Sequence, residues 1–205
     1  MHDDGEPGTV VVVGPPLFAC PTSLSPTGQG PSGNAPGRAH RWAVMDIDDI
    51  PLTRIDGSAT SLREFAGRTK LIVNLASRCG FTPQYEKLEA LQRTYGERGF
   101  TVLGFPSNQF AQELDSDAEV AEYCSTTWGV TFPMFARTDL HGADAHPLYA
   151  RLTQVPDGEG RAGDVAWNFE KFLVTPDGAV HRFRSAVEPD APEIVELIEA
   201  ALPRP

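Results

Sequence analysis

The apolar run Leu71-Ile72-Val73-Asn74-Leu75-Ala76 leads into Ser77-Arg78-Cys79-Gly80, with Thr82 and Pro83 close behind and an amphipathic stretch after them. Near-continuous apolar character marks a strand buried on both faces. The stretch that follows sets Tyr85, Leu88, Leu91 and Tyr95 at helical spacing. A buried strand that passes into a helix through a short turn calls for layered α/β packing to cover it. It also leaves unpaired backbone N–H groups at the helix start, where the helix dipole is positive. A thiol held there ionises more readily, and the thiolate is the reactive form. The other common fate of a free cysteine is burial as a small apolar side chain. Position alone does not decide between the two for Cys79.

Around this unit, strands and helices alternate. Residues 50–55 and 61–62 flank Asp56-Gly57 and predict a hairpin. A helix is expected over 83–97, then Gly99, then a strand over 101–105. Ser116 and Glu119 form a capping box for a helix over 116–126, on which Val120, Tyr123 and Cys124 share a face. A short strand over 132–135 and a short helix over 146–153 follow. Residues 169–175 and 179–183 flank the turn Pro176-Asp177-Gly178. The closing helix, over 192–202, turns Ile194, Leu197, Ile198 and Ala201 inward, with Asp190 and Glu193 serving its N-terminus. A βαβ unit, further helices, an antiparallel hairpin and a last helix make an α/β protein in thioredoxin-like order. Its central mixed sheet is flanked by helices, and a β-hairpin precedes it.

Composition excludes several classes of function. A formal charge of −11 argues against nucleic acid or anionic lipid as partner, since both require a basic face. No apolar run approaches the roughly 18 residues of a membrane span, so no stable membrane association is expected. Three widely spaced cysteines in 205 residues suit neither a disulfide scaffold nor a zinc ribbon, which points to the cytoplasm. His141 and His146 are the one close pair among five histidines and lack supporting ligands, so no metal is expected. Without a phosphate-binding glycine loop, no cofactor is implied either.

Residues 1–44 read as a Pro/Gly-rich disordered extension ahead of a domain over 45–205, because 14 of the first 40 residues are Pro or Gly. A misassigned start, with the true one at Met45, is the alternative. Leu17-Phe18-Ala19-Cys20 has the look of a lipoprotein cleavage box. Acidic Asp3, Asp4 and Glu6 precede it, however, and Gly14, Pro15 and Pro16 break its apolar stretch, so export through Cys20 is not expected.

Three longer motifs remain. Asn74-Leu75-Ala76-Ser77-Arg78-Cys79-Gly80-Phe81-Thr82 resembles the active-site signature of the glutathione peroxidase family. Gly104-Phe105-Pro106-Ser107-Asn108-Gln109-Phe110 resembles its second signature, and Trp167-Asn168-Phe169-Glu170-Lys171-Phe172-Leu173 its third. The resemblance implies a thioredoxin fold and a peroxidatic Cys79 assisted by a Gln, Trp167 and Asn168. Neutral N–H donors suit that task, because they stabilise a thiolate and can bond peroxide oxygens as charge develops. Cysteine in place of selenocysteine implies slower turnover than in selenium-containing relatives.

The Gln departs from the family's spacing: Gln109 is followed by Phe110-Ala111-Gln112-Glu113, one residue short. Ungapped counting would put Glu113 in the catalytic slot, where a carboxylate would repel a thiolate. A one-residue deletion assigns the role to Gln112 instead. The resemblance also puts Cys124 where cysteine-type relatives carry a resolving thiol. That implies a Cys79–Cys124 disulfide reduced by thioredoxin, with a helix that must unravel first. The reading is thus a thiol-dependent peroxidase acting on hydrogen peroxide and on organic or lipid hydroperoxides. The alternatives are a peroxide sensor or relay, a one-cysteine enzyme reduced by glutathione, and a non-catalytic binding module. The segment 141–165 lacks anything resembling the assembly loop of tetrameric relatives, so a monomer is expected.

Overall fold

In the computed structural model, residues 47–203 are described, and the elements follow the expected order. Hairpin strands β1 (Pro51–Thr53) and β2 (Ala59–Ser61) pair antiparallel around Asp56-Gly57. Gly57 takes φ 86°, and Asp56 Oδ1 accepts the Ser58 N–H at 2.9 Å. Then come β3 (Thr69–Leu75), α1 (Gln84–Tyr95), β4 (Phe100–Pro106) and α2 (Asp117–Trp128). The chain finishes with α3 (Pro147–Leu152), β5 (Lys171–Val174), β6 (Val180–Phe183) and α4 (Pro192–Ala201). The expected extension over 1–44 and the Cys20 box lie outside the described residues.

The four-stranded sheet runs β4-β3-β5-β6, with β3 parallel to β4 and antiparallel to β5, and β5 antiparallel to β6. This is the mixed sheet of a thioredoxin-like fold. Every residue of β3 and β4 is buried. Leu71, Val73 and Leu75 pack with Leu88 of α1, Val120 of α2 and Ile194 and Ile198 of α4. Ile72, Leu103 and Phe172 pack instead with Leu148 and Leu152 of α3 and with Leu52 of the hairpin. Each such side chain, fully withdrawn from water, stabilises by about 1.5–3 kcal/mol. Among the described residues no helix is long and apolar enough to cross a membrane.

Two expectations are corrected. Residues 132–135 form no strand; they contribute only isolated bridges, Gly104 to Met134 and Arg54 to Phe135. Residues 132–135 bond the edge of β4 only at Gly104, whose N–H donates to Pro133 O and whose O accepts the Phe135 N–H, both at 2.9 Å, and Pro133, without an N–H, cannot continue the ladder. Nor does Asp190 cap α4: it binds Lys87 Nζ at 2.9 Å, and Ala191 at the cap has no side-chain bond.

Candidate active site

The three motifs meet at the carboxyl ends of β3 and β4. Cys79 stands in the turn between β3 and α1 and is 8% exposed. Thr82 fixes that turn, because its Oγ1 accepts the Cys79 N–H at 3.0 Å and donates to Ala76 O at 2.9 Å. The Thr82 N–H returns to Cys79 O at 3.0 Å. The Phe81 N–H approaches Cys79 Sγ at 3.4 Å. The donor to sulfur therefore comes from the turn itself, whereas the sequence suggested the first turn of the helix. The reason is that α1 begins only at Gln84, after Pro83. Arg78, beside it, is exposed.

The loop that follows the second motif supplies Gln112. Asn108 closes its loop: its O accepts the Ala111 N–H at 2.9 Å and its Oδ1 the Glu113 N–H at 3.0 Å. Ala111 is consequently held at φ 55°, a left-handed conformation that a non-glycine residue adopts at a cost of order 1–3 kcal/mol. This loop is tied to the cysteine turn twice. Gln112 O accepts the Arg78 N–H at 2.9 Å, and Glu113 Oε1 accepts the Ser77 N–H at 3.1 Å. Glu113 is 2% exposed, and burial pushes its carboxyl above the usual carboxylate range, partly offset by the Ser77 and Leu114 donors. It clamps backbone. Gln109, in turn, pins the 140–141 backbone, accepting the Leu140 N–H and donating to His141 O.

The third motif is positioned by Asn74, the polar interruption in the apolar strand. Its Nδ2 donates to Trp167 O at 3.1 Å, and its Oδ1 accepts the Glu170 N–H at 2.9 Å. Its backbone O accepts the Phe169 N–H at 2.7 Å. Among the described residues Phe169 is the other left-handed non-glycine residue, at φ 64°. Its carbonyl is held by the buried Lys171 Nζ at 2.7 Å, and Lys171 also donates to Val187 O at 2.6 Å. Burial pulls the Lys171 ammonium down to about 7. Glu170 is fully buried against Arg182 and Arg184. The peptide carrying Trp167 and Asn168 is thus gripped from both sides.

Gln112 and Asn168 then come together: Asn168 Nδ2 donates to Gln112 Oε1 at 2.8 Å. This bond occupies the acceptor of Gln112 and leaves its Nε2 hydrogens as donors. Asn168 is fully buried, whereas Trp167 is 39% exposed with its ring 5.0 Å from that of Phe110. A core aromatic would not stand so open. Cys124 lies apart from this group, in α2, and both cysteine thiols are free. It is 1% exposed, its thiol donates to Tyr85 Oη at 3.5 Å, and burial raises its pKa to about 11. Among the described residues no His, Cys, Asp and Glu cluster could hold a metal.

Four participants carried no assigned role in the sequence reading: Asn74, Thr82, Glu113 and Tyr85. Asn74 left a signal, a polar side chain inside a buried strand. The others did not, since their partners are backbone groups or side chains distant in sequence.

Residues 47–153 match the family model described as glutathione peroxidase. The chain is 50% identical over 169 residues to the thioredoxin/glutathione peroxidase BtuE of Escherichia coli (strain K12), covering 72% of this chain and 92% of that protein. It is 49% identical to the hydroperoxy fatty acid reductase gpx1 of Synechocystis sp. (strain ATCC 27184 / PCC 6803 / Kazusa), over 72% of this chain and 90% of that one. Among solved structures, that of Trgpx in apo form superposes with a TM-score of 0.61 at 36% identity, covering 77% of this chain and 95% of the other.

Proposed function

The chain belongs to the glutathione peroxidase family and is a thiol peroxidase acting on hydroperoxides; within that activity we propose that Cys79 is the peroxidatic residue and Cys124 the resolving one. The Cys79 thiolate attacks the terminal peroxide oxygen, the O–O bond breaks, and the departing oxygen takes a proton. The products are a sulfenic acid on Cys79 and water or an alcohol. The Phe81 N–H stabilises the sulfur, and the side-chain N–H groups of Gln112 and Trp167 stabilise the leaving oxygen as it charges. Asn168 keeps Gln112 oriented.

The observation that carries this reading is the 2.8 Å bond between Gln112 and Asn168. It joins the third motif to the loop after the second, a loop already tied to the cysteine turn, and it leaves the Gln112 amide hydrogens unused. Glu113 Oε1 accepts the Ser77 and Leu114 N–H groups, which supports a backbone-holding role for it and the catalytic one for Gln112.

In the second step Cys124 attacks Cys79: the S–O bond breaks, the S–S bond forms, and the Cys124 proton leaves with the hydroxide as water. Thioredoxin then reduces the disulfide. The protein acts as a cytoplasmic monomer in this proposal, which rests on its few cysteines and its short 141–165 segment. One equivalent of hydrogen peroxide followed by non-reducing peptide mapping should yield a Cys79–Cys124 linked peptide. Steady turnover should be faster with thioredoxin than with glutathione. A persistent Cys79 sulfenic acid with glutathione-only turnover would refute the resolving role and leave a one-cysteine enzyme. Oxidation passed to a partner without steady turnover would refute the enzyme in favour of a sensor.

A further inference from the structure

We propose that Tyr85 is a positioning residue for the resolving step: it holds the last turn of α2 closed over Cys124 and so sets how fast that cysteine reaches oxidised Cys79. The inference rests on the resolving role given to Cys124 above.

Tyr85 is fully buried, and three elements converge on it. Its N–H donates to Thr82 O at 3.0 Å, and Thr82 is the residue that fixes the Cys79 turn. Its ring meets Phe169 edge-on, 5.5 Å between centroids at 86°, directly after Asn168. The same ring stacks on Trp128 at 5.8 Å and 20°, and its hydroxyl accepts the Cys124 thiol at 3.5 Å. One side chain therefore touches the third motif and the end of α2, and its backbone touches the cysteine turn.

The end of α2 is closed by a glycine cap, Gly129 at φ 60°, with Cys124 O taking both the Gly129 and Val130 N–H groups, but its side chains work against it. Ser125 and Thr126 turn their hydroxyls back to Glu122 O, at 3.0 and 2.7 Å, a pattern that loosens helices. Trp128 Nε1 is buried without an acceptor, so release of this turn gives that donor access to water. A cavity of about 210 Å³ beside the turn, bounded by Cys124, Ile55, Val130 and Met134, gives it room to move. Oxidation of Cys79 adds an oxygen where the Phe81 N–H meets Sγ, so the Cys79 turn must adjust, and Tyr85 is bonded to that turn through Thr82.

Tyr85→Phe keeps both ring contacts and removes only the acceptor for Cys124. In a Cys20→Ser/Cys79→Ser background, which leaves Cys124 as the single cysteine, iodoacetamide should alkylate it about two- to tenfold faster once Tyr85 is Phe. In the otherwise native protein, dimedone-quenched single turnovers should show Cys79 sulfenic acid converting to disulfide faster by a similar factor. The rate of its formation from peroxide should not change. Unchanged alkylation, slower disulfide formation or an altered peroxide step would each overturn the proposal. Trp128→Leu, which removes the stack alone, should move the same two rates in the same direction, and it decides the matter if Tyr85→Phe fails to fold. Should Cys124→Ser retain full thioredoxin-linked turnover, the resolving role fails, while the alkylation rates still report whether Tyr85 closes the turn.

Discussion

Cys79 and Cys124 are both buried thiols in one apolar cluster, but their surroundings differ in kind. Cys79 stands in a turn whose N–H, carbonyl and sulfur all have partners, and backbone bonds tie that turn to the Gln112 loop. Cys124 has a single side-chain partner and apolar walls, and burial raises its thiol from the ordinary 9 to about 11. The first arrangement builds a site around a sulfur; the second hides one. Burial alone therefore says little about reactivity: what matters is whether the donors nearby favour the thiolate.

Replacing each cysteine breaks the comparison most severely. Cys79→Ser, nearly isosteric, should lose peroxide reduction to background while its melting temperature moves by only a few degrees; retained turnover would remove Cys79 from the chemistry. Cys124→Ser should consume one equivalent of peroxide at the native rate and then stop, with thioredoxin present, because nothing resolves the sulfenic acid. Mass spectrometry of Cys79 in that variant checks it, and continued thioredoxin-linked turnover would contradict it.

A smaller effect separates Gln112 from its neighbour. Gln112→Ala removes the donors proposed for the reacting oxygen, a loss worth roughly 1.5–3 kcal/mol, so the peroxide step should slow by about one to two decades. Glu113→Ala strands the buried Ser77 N–H and the half-buried Leu114 N–H instead, and should lower stability by about 1–3 kcal/mol with a lesser effect on rate. Stopped-flow oxidation and urea unfolding of both variants settle the assignment. The opposite ranking of rates would mean that Glu113, not Gln112, occupies the catalytic slot.

How much of this could be read from the sequence depends on the range of the interaction. The hairpins were legible because Asp56-Gly57 and Pro176-Asp177-Gly178 carry their turn chemistry locally, and the capping box of α2 works within four residues: Ser116 Oγ accepts the Glu119 N–H at 3.2 Å. Residues 132–135 misled because their apolar pattern reports burial, whereas they bond β4 only at Gly104, far earlier in the chain. The motifs pointed to Cys79, Gln112, Trp167 and Asn168 together, but not to what holds them. Asn74 reaches 93 residues along the chain to Trp167 O. Tyr85 and Cys124 each lay on the apolar face of a helix, and sequence spacing cannot show which core side chains touch.

The smallest expected effect sharpens the contrast without chemistry. Cys124 ionises near 9 when solvated and near 11 in the folded protein, so the fold retains its proton where the unfolded chain has lost it. Stability from this group is therefore fully present below pH 9 and is lost as pH rises through 11. At pH 10 the loss comes to about 1 kcal/mol by linkage. Lys171, pulled down to about 7 by burial, works in the opposite sense: between there and its ordinary value of 10.5 the unfolded chain binds the extra proton, and stability rises with pH. The two slopes overlap, so a single pH titration of the native protein cannot assign either. Urea unfolding of Cys20→Ser/Cys79→Ser and of the Cys20→Ser/Cys79→Ser/Cys124→Ser variant, at pH 7.5 and pH 10, keeps the Lys171 contribution common and excludes disulfide formation. The stability difference between the two proteins should shift by about 1 kcal/mol between those pH values, to the disadvantage of the one retaining Cys124. If the difference does not change, Cys124 is already in contact with water in the reduced protein, and the contrast between an assembled cysteine and a hidden one fails at its second half.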